Sequence, residues 1–128
     1  MNRRNTIQKQ LISKTVMNMD HPDADQVYAA IVKEHPHISK ATVYRNLNIL
    51  AEQKEIGKIE PGEGATKFDF RTDPHYHLRC RECGRLFDAD LPLLEGLNSR
   101  VQNTHGFTIE KHNIEFVGIC SDCKNKIK

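Results

Sequence analysis

Apolar residues recur at helical spacing in the first third of the chain and at strand spacing beyond it. Over residues 5–19, Ile7, Leu11, Ile12 and Val16 share one side of a helix. A second helix follows "HPDAD" (21–25), with Asp23 or Asp25 near its start and Val27 and Ile31 on one face. It stops at His35-Pro36. Ser39 is a good N-cap for a third helix, "KATVYRNLNILAEQ" (40–53), in which Val43, Leu47 and Leu50 recur at i, i+4 and i+7. "GKIEP", the turn "GEGA" and "TKFDFR" then read as a hairpin (57–71). In its second strand Phe68 and Phe70 face one way, and Lys67, Asp69 and Arg71 the other.

Three helices, a short turn before the third, and a hairpin predict a winged helix-turn-helix. The third helix would enter a major groove and the hairpin would be the wing. With Val43, Leu47 and Leu50 inward, the other faces present Lys40, Thr42, Tyr44, Arg45, Asn46 and Asn48. Arg and Lys suit guanine, Asn suits adenine, and hydroxyls hold phosphate. A solvated polar face would look the same on one helix alone. The order of elements and the hairpin favour DNA.

After "RTDP" (71–74) the pattern changes. Residues 75–80 read as a strand with His75 and His77 on one face, "CRECG" as a tight turn, and "RLFDADL" (85–91) as the next strand. A helix is predicted over 92–104, with Leu94, Leu97 and Val101 inward and Gly106 as its stop. "FTIEKHNIEFVGIC" (107–120) is strand-rich, and "CSDC" closes the unit. The expected architecture is α/β of the α+β kind: a winged-helix DNA-binding domain over 1–72, then a small α/β dimerisation and metal-binding domain over 73–128. So small a second unit needs zinc, a partner subunit, or both.

Composition narrows this picture. The chain has 128 residues, which suits one compact domain or two small ones. Its apolar runs are too short to span a bilayer, and no charged-then-apolar signal segment opens it, so a soluble, cytoplasmic protein is expected. Net charge is +2. Residues 1–72 carry 11 Lys+Arg against 9 Asp+Glu, and residues 73–128 carry 8 against 8. The whole bias lies in the half assigned to DNA.

Four cysteines in a reducing compartment favour metal over disulfides. Cys80-x-x-Cys83 and Cys120-x-x-Cys123 are two knuckles separated by 36 residues, each supplying two thiolates from one turn. Together they complete a closed tetrahedral sulfur set for structural Zn²⁺, worth on the order of 10 kcal/mol in small zinc domains. Redox pairs and a rubredoxin-like iron site are the rival readings. His75, His77 and Asp88 are left over beside the first knuckle. They are either surface residues or part of a second, nitrogen–oxygen site suited to Fe²⁺, Mn²⁺ or Zn²⁺.

The winged helix, "HYHLRCRECG" and terminal "CSDC" together resemble the ferric uptake regulator family. "DHPDADQVYAAI", "SKATVYRNLNIL" and "KFDFRTDPHYHLRCRECGRLFD" extend the resemblance over nearly the whole chain. The peroxide-responsive branch is the most similar. The resemblance implies a regulatory Fe²⁺ or Mn²⁺ site of His21, Asp69, His75, His77 and Asp88, with His21 and His75 the oxidation-sensitive ligands. Asp at position 88 is typical of peroxide sensors, where the iron-uptake branch usually has Glu. One ion would tie two domains across a hinge. The resemblance also implies a homodimer on a palindromic, A·T-rich operator in double-stranded DNA.

Some features depart from the family. Its helix ahead of the "TPQR"-like segment is largely missing, since "TIQK" stands at 6–9, which suggests weaker DNA affinity. A further metal site of iron-uptake members would need ligands where Pro74, Tyr76 and Ile119 stand. Only Glu95 is available, so that site is read as absent. His35, His37 and His105 read as surface or turn residues and His112 as structural. The resulting expectation is a metal-dependent repressor that senses hydrogen peroxide through oxidation of a ligand histidine. An iron- or manganese-level sensor of the same family is the alternative. A non-haem iron oxygenase using His75, His77 and a carboxylate is remote, because it leaves the winged helix unexplained.

Overall fold

A computed structural model describes residues 3–127. The chain divides between Asp73 and Pro74 into two compact units. In the first, three helices, α1 (Arg3–Met17), α2 (Ala24–Val32) and α3 (Lys40–Glu52), precede a hairpin of β1 (Gly57–Ile59) and β2 (Lys67–Asp69). The helices start where their caps dictate. Asp23 accepts the Gln26 amide at 2.7 Å while the Gln26 side chain accepts the Asp23 amide at 2.9 Å, a reciprocal capping box on α2. Ser39 Oγ accepts the Thr42 amide at 3.1 Å and starts α3. Ile12, Val16, Val27, Ile31, Val43, Leu47, Leu50 and Phe68 form one buried core.

The antiparallel hairpin pairs Gly57 with Asp69 and Ile59 with Lys67. Gly57 is required there, because a Cβ would stand 2.6 Å from the Arg71 carbonyl oxygen. Two expected core positions are corrected. Ile7 lies on the outer side of α1, and Phe70 lies beyond the end of β2; both are exposed. Asp69, expected to face away from the core, is buried instead. The 20–23 segment covers it, tied down by the Phe68 amide on the Pro22 carbonyl at 2.8 Å and by a bridge between Asp23 and Lys67.

The second unit is a three-stranded sheet in the order β4-β3-β5: β3 (His77–Cys80), β4 (Leu86–Asp88) and β5 (Glu115–Gly118). β3 runs antiparallel to β4 and parallel to β5. The long helix predicted over 92–104 is not formed. Only α4 (Leu97–Val101) is helical, followed by a 3₁₀ turn at Thr104–Gly106. Gly96 stands at its start in the left-handed region (φ 82), and the Leu94 amide donates to the Tyr76 hydroxyl at 2.9 Å instead of to a helix. Leu94 and Val101, expected inward, are exposed. Of the strand-rich 107–120 segment only β5 is a strand, and the chain after Cys120 forms a helix, α5 (Ser121–Ile127), that the pattern did not predict.

Among the described residues of this unit the buried apolar set is small: Tyr76, Cys80, Leu86 and Cys123. Half of it is cysteine. A core this thin gives the unit little apolar burial of its own. No described helix is long and apolar enough to cross a membrane.

Candidate metal centres

The parallel pairing of β3 with β5 sets Cys80 opposite Gly118, and the Arg81 amide donates to the Gly118 carbonyl at 2.8 Å. This register brings the end of each strand, and so each knuckle, to the same place. All four Cys80, Cys83, Cys120 and Cys123 sulfurs lie within 4.8 Å of one another. None is in a disulfide. The Sγ atoms of Cys83 and Cys120 are 3.8 Å apart. A tetrahedral ion with Zn–S bonds of about 2.3 Å needs sulfurs about 3.8 Å apart, so the donor set fits Zn²⁺. It is closed on all four sides and leaves no place for a substrate.

The knuckles prepare the thiolate form. The backbone amides of Cys120 (3.4 Å) and Cys83 (3.5 Å) donate to Cys80 Sγ and lower its pKa from 9.0 to about 6. Cys120 is also lowered, first by the Cys123 amide and then by Arg85. Cys123 is pushed up to about 12 by its hydrogen bond with Cys120 and by burial.

A second set of ligating groups occurs in two parts, one in each unit. In the first unit His21 and Asp69 are both buried, with His21 Nε2 3.4 Å from Asp69 Oδ2. The other imidazole nitrogen, Nδ1, lies 2.6 Å from Asp20 Oδ1, which fixes the ring and leaves Nε2 facing Asp69. His21 has φ 48, a strained conformation for a residue with a side chain. The same ties that bury Asp69 hold it there. Asp20 was not singled out from sequence; its signal was adjacency to a candidate ligand, His21.

In the second unit Asp88 stands opposite His77 across the β3–β4 ladder. Asp88 Oδ1 lies 3.0 Å from His75 Nε2 and 3.6 Å from His77 Nε2, and the two rings are 4.4 Å apart between centroids. His75 precedes β3, yet the two imidazoles still meet one carboxylate. Tyr76, between them, is 1% exposed and points the opposite way. Its hydroxyl is 2.6 Å from His112 Nε2, and His112 Nδ1 is 2.6 Å from Asn98 Oδ1. His112 is thus held in a structural network. His37 and His105 are exposed and His35 half-buried.

On α3, Lys40, Tyr44 and Arg45 are exposed and Thr42 is half-buried. Asn46 is corrected: it is buried, and its Nδ2 donates back to the Thr42 carbonyl at 2.9 Å, so it faces no groove. Tyr44 and Lys40 are held by a residue that sequence reading gave no role beyond a helix start. Asp25 Oδ1 accepts from the Tyr44 hydroxyl at 2.7 Å and from Lys40 Nζ at 2.9 Å.

The chain matches the ferric uptake regulator family over residues 1–117. It is 35% identical over 122 residues to the peroxide-responsive repressor PerR of Staphylococcus saprophyticus, covering 94% of this chain and 82% of that relative. Against the peroxide operon regulator of Bacillus subtilis it is 35% identical over 116 residues, covering 91% of this chain and 80% of that one. The solved structure of the Campylobacter jejuni peroxide stress regulator is similar with a TM-score of 0.75 and 29% identity. It covers 94% of this chain and 91% of that chain.

Proposed function

Because this chain belongs to the ferric uptake regulator family, we propose that it is a metal-dependent transcriptional repressor that binds DNA as a homodimer and senses hydrogen peroxide. Members of the family are transcription regulators, and the named relatives are regulators of peroxide response. The first unit is then the DNA-binding domain and the second the dimerisation and metal-binding domain. The site of action is the cytoplasm, where DNA is found and thiols stay reduced.

Cys80, Cys83, Cys120 and Cys123 hold structural Zn²⁺ and supply the stability that the thin second core lacks. His21 and Asp69 from one unit, with His75, His77 and Asp88 from the other, share one regulatory Fe²⁺ or Mn²⁺. The observation that carries this reading is that His75 and His77 converge on one carboxylate, while the strained His21 is aimed at the buried Asp69. Three nitrogens and two carboxylates would suit a hard or borderline divalent ion.

When bound there, Fe²⁺ supplies the one-electron cleavage of peroxide that oxidises a ligand imidazole, at His21 or His75. The chain's part is to hold those rings where the oxidant forms. His21 is the only nitrogen ligand assigned to the first unit, so its oxidation would leave that unit Asp69 alone, weaken the tie between the two units and let the dimer release DNA. Lys40, Thr42, Tyr44 and Arg45 face the DNA, an A·T-rich palindrome read by two copies of α3. The metal must favour the DNA-competent arrangement, since only differential affinity shifts an equilibrium.

Mass spectrometry of Fe²⁺-loaded protein after dilute peroxide tests this reading. One added oxygen is expected on the peptide carrying His21 or His75, and Mn²⁺ in place of iron should prevent it. Unmodified histidines together with DNA binding that survives peroxide would make the protein a metal-level sensor instead.

A further inference from the structure

The four sulfurs are not equally protected. Cys80 and Cys123 are buried, whereas Cys83 is exposed and Cys120 half-buried, and the two accessible sulfurs are neighbours at 3.8 Å. A peroxide sensor therefore presents two thiolates to the oxidant it detects. Arg85, at the entrance to β4, lies against them. Its Nη2 is 3.6 Å from Cys120 Sγ and 2.8 Å from Asp122 Oδ2, and its guanidinium carbon is 5.1 Å from the centroid of the Phe87 ring. Carboxylate, aromatic face and sulfur thus hold one flexible side chain from three directions.

We propose that Arg85 is a positioning residue that shields the zinc–thiolate cluster from peroxide by donating to Cys120 Sγ and covering the approach to the accessible pair. The reaction it slows has a simple balance. A thiolate sulfur gives an electron pair to one peroxide oxygen, the O–O bond breaks, and hydroxide leaves and is protonated to water. A second thiolate attacks the resulting sulfenic sulfur and expels its oxygen, which also leaves as water. In sum, two thiolates, one peroxide and two protons give one disulfide and two waters. The site then lacks two ligands and cannot hold zinc. A cationic N–H donor on the sulfur withdraws density from the attacking lone pair, so the first step slows.

This role rests on the cysteines holding zinc and is independent of the regulatory site. The test uses full-length, zinc-loaded protein with excess Mn²⁺ in place of iron, and follows zinc release to a colorimetric chelator as peroxide is raised. Arg85→Ala should lose zinc about three to ten times faster than wild type, the share of one partly exposed charge-assisted hydrogen bond felt in the transition state. Arg85→Lys keeps the charge without the fork and should fall between. Asp122→Asn loosens the arginine without touching a sulfur and should give a smaller increase. Zinc loss to chelator without peroxide should be unchanged in all three.

Equal peroxide-driven rates in wild type and Arg85→Ala would overturn the shield. So would a variant that loses zinc equally faster without peroxide, since Arg85 would then only hold the fold. Wild-type protein purified without zinc would instead overturn the zinc reading on which the role depends.

Discussion

The Tyr44 hydroxyl donates to Asp25 Oδ1 at 2.7 Å, and the same oxygen accepts from Lys40 at 2.9 Å. One carboxylate at the start of α2 therefore occupies two groups of α3 that would otherwise reach for phosphate. On the proposed reading, Tyr44 with its proton committed would offer DNA its ring, which suits contact with a thymine methyl. Lys40 is partly neutralised by Asp25, which would suppress binding to any duplex regardless of sequence. Asp25→Asn should raise affinity for a random duplex and steepen its salt dependence by about two log units per log salt for the dimer, one freed lysine per protomer. Affinity for a palindrome selected from a random library by Mn²⁺-loaded wild type should rise less, so discrimination falls. The Tyr44 hydroxyl and then Lys40 hold the Asp25 carboxyl below its ordinary value of 3.8. The clamp is therefore intact at and above that value and is lost only below it, as pH falls through the lowered pKa. The difference between wild type and variant should be flat from about pH 6 to 8. Unchanged discrimination in fluorescence anisotropy would remove Asp25 from the recognition surface.

His21 separates metal binding from folding. A non-glycine residue at φ 48 costs roughly 1 kcal/mol or more, which a glycine would not pay. His21→Gly should therefore melt close to wild type when no regulatory metal is present, because relief of strain offsets lost packing. Its Mn²⁺ affinity should nevertheless fall by at least about tenfold, the loss of one ligand. Zinc content should not change. Mn²⁺ titration by electron paramagnetic resonance, beside a thermal melt, reads the two effects separately. An unaltered Mn²⁺ affinity would take His21 out of the site.

The parts of the fold that could be read from sequence were those fixed by local chemistry. The Ser39 cap, the start of α2 and the hairpin each depend on a few adjacent residues, and two Cys-x-x-Cys knuckles announce their own cluster. The 92–104 helix failed for a physical reason. Leu94, Leu97 and Val101 have helical spacing, but Gly96 at φ 82 and the Leu94 amide on Tyr76 interrupt the helix, and no described core covers Leu94 or Val101. Asp69 looked exposed because strand alternation records only the sheet, not the 20–23 segment laid over it. Asn46 looked like a base reader because helical spacing does not reveal a side chain turned back to Thr42. Arg85 and Asp25 carry no motif; only distances mark them.

Zinc uptake should release fewer protons than the four thiols could supply. Cys80, with a pKa lowered to about 6, is ionised at pH 7.5 before metal arrives, whereas Cys123, pushed up to about 12, still carries its proton. Calorimetric titration of zinc-free protein in buffers of different ionisation enthalpy should give between about one and three protons per ion. For Cys80 the sign is that of a depressed acid. Its contribution to the zinc-free fold is present above pH 9.0, declines as pH falls toward about 6, and is lost below. Cys123→Ser should lose zinc and cost several kcal/mol, as removal of a structural metal does. A Cys123→Ser protein as stable as wild type would refute the staple.

The last prediction concerns the second unit's apolar surface. Leu78, Phe116, Val117 and Phe107 are all large and exposed in a unit with few buried residues of its own, and Leu78 stands opposite Phe116 in the β3–β5 ladder. β5 lies at an edge of the sheet, paired among the described residues with β3, so its outer side presents backbone donors and acceptors, with Phe116 on one face and Val117 on the other. An edge this apolar is normally covered. In the proposed homodimer, a second copy related by a twofold axis would cover it with the same strand and the same side chains, as an isologous interface requires. Val117→Glu places two like charges near that axis and leaves the cysteine cluster and the α3 surface untouched. It should shift the protein from dimer to monomer at micromolar concentration in analytical ultracentrifugation, with zinc content unchanged. DNA affinity should fall steeply, because each monomer can then read only half of the palindrome. A Val117→Glu protein that stays dimeric would place the interface elsewhere in the second unit.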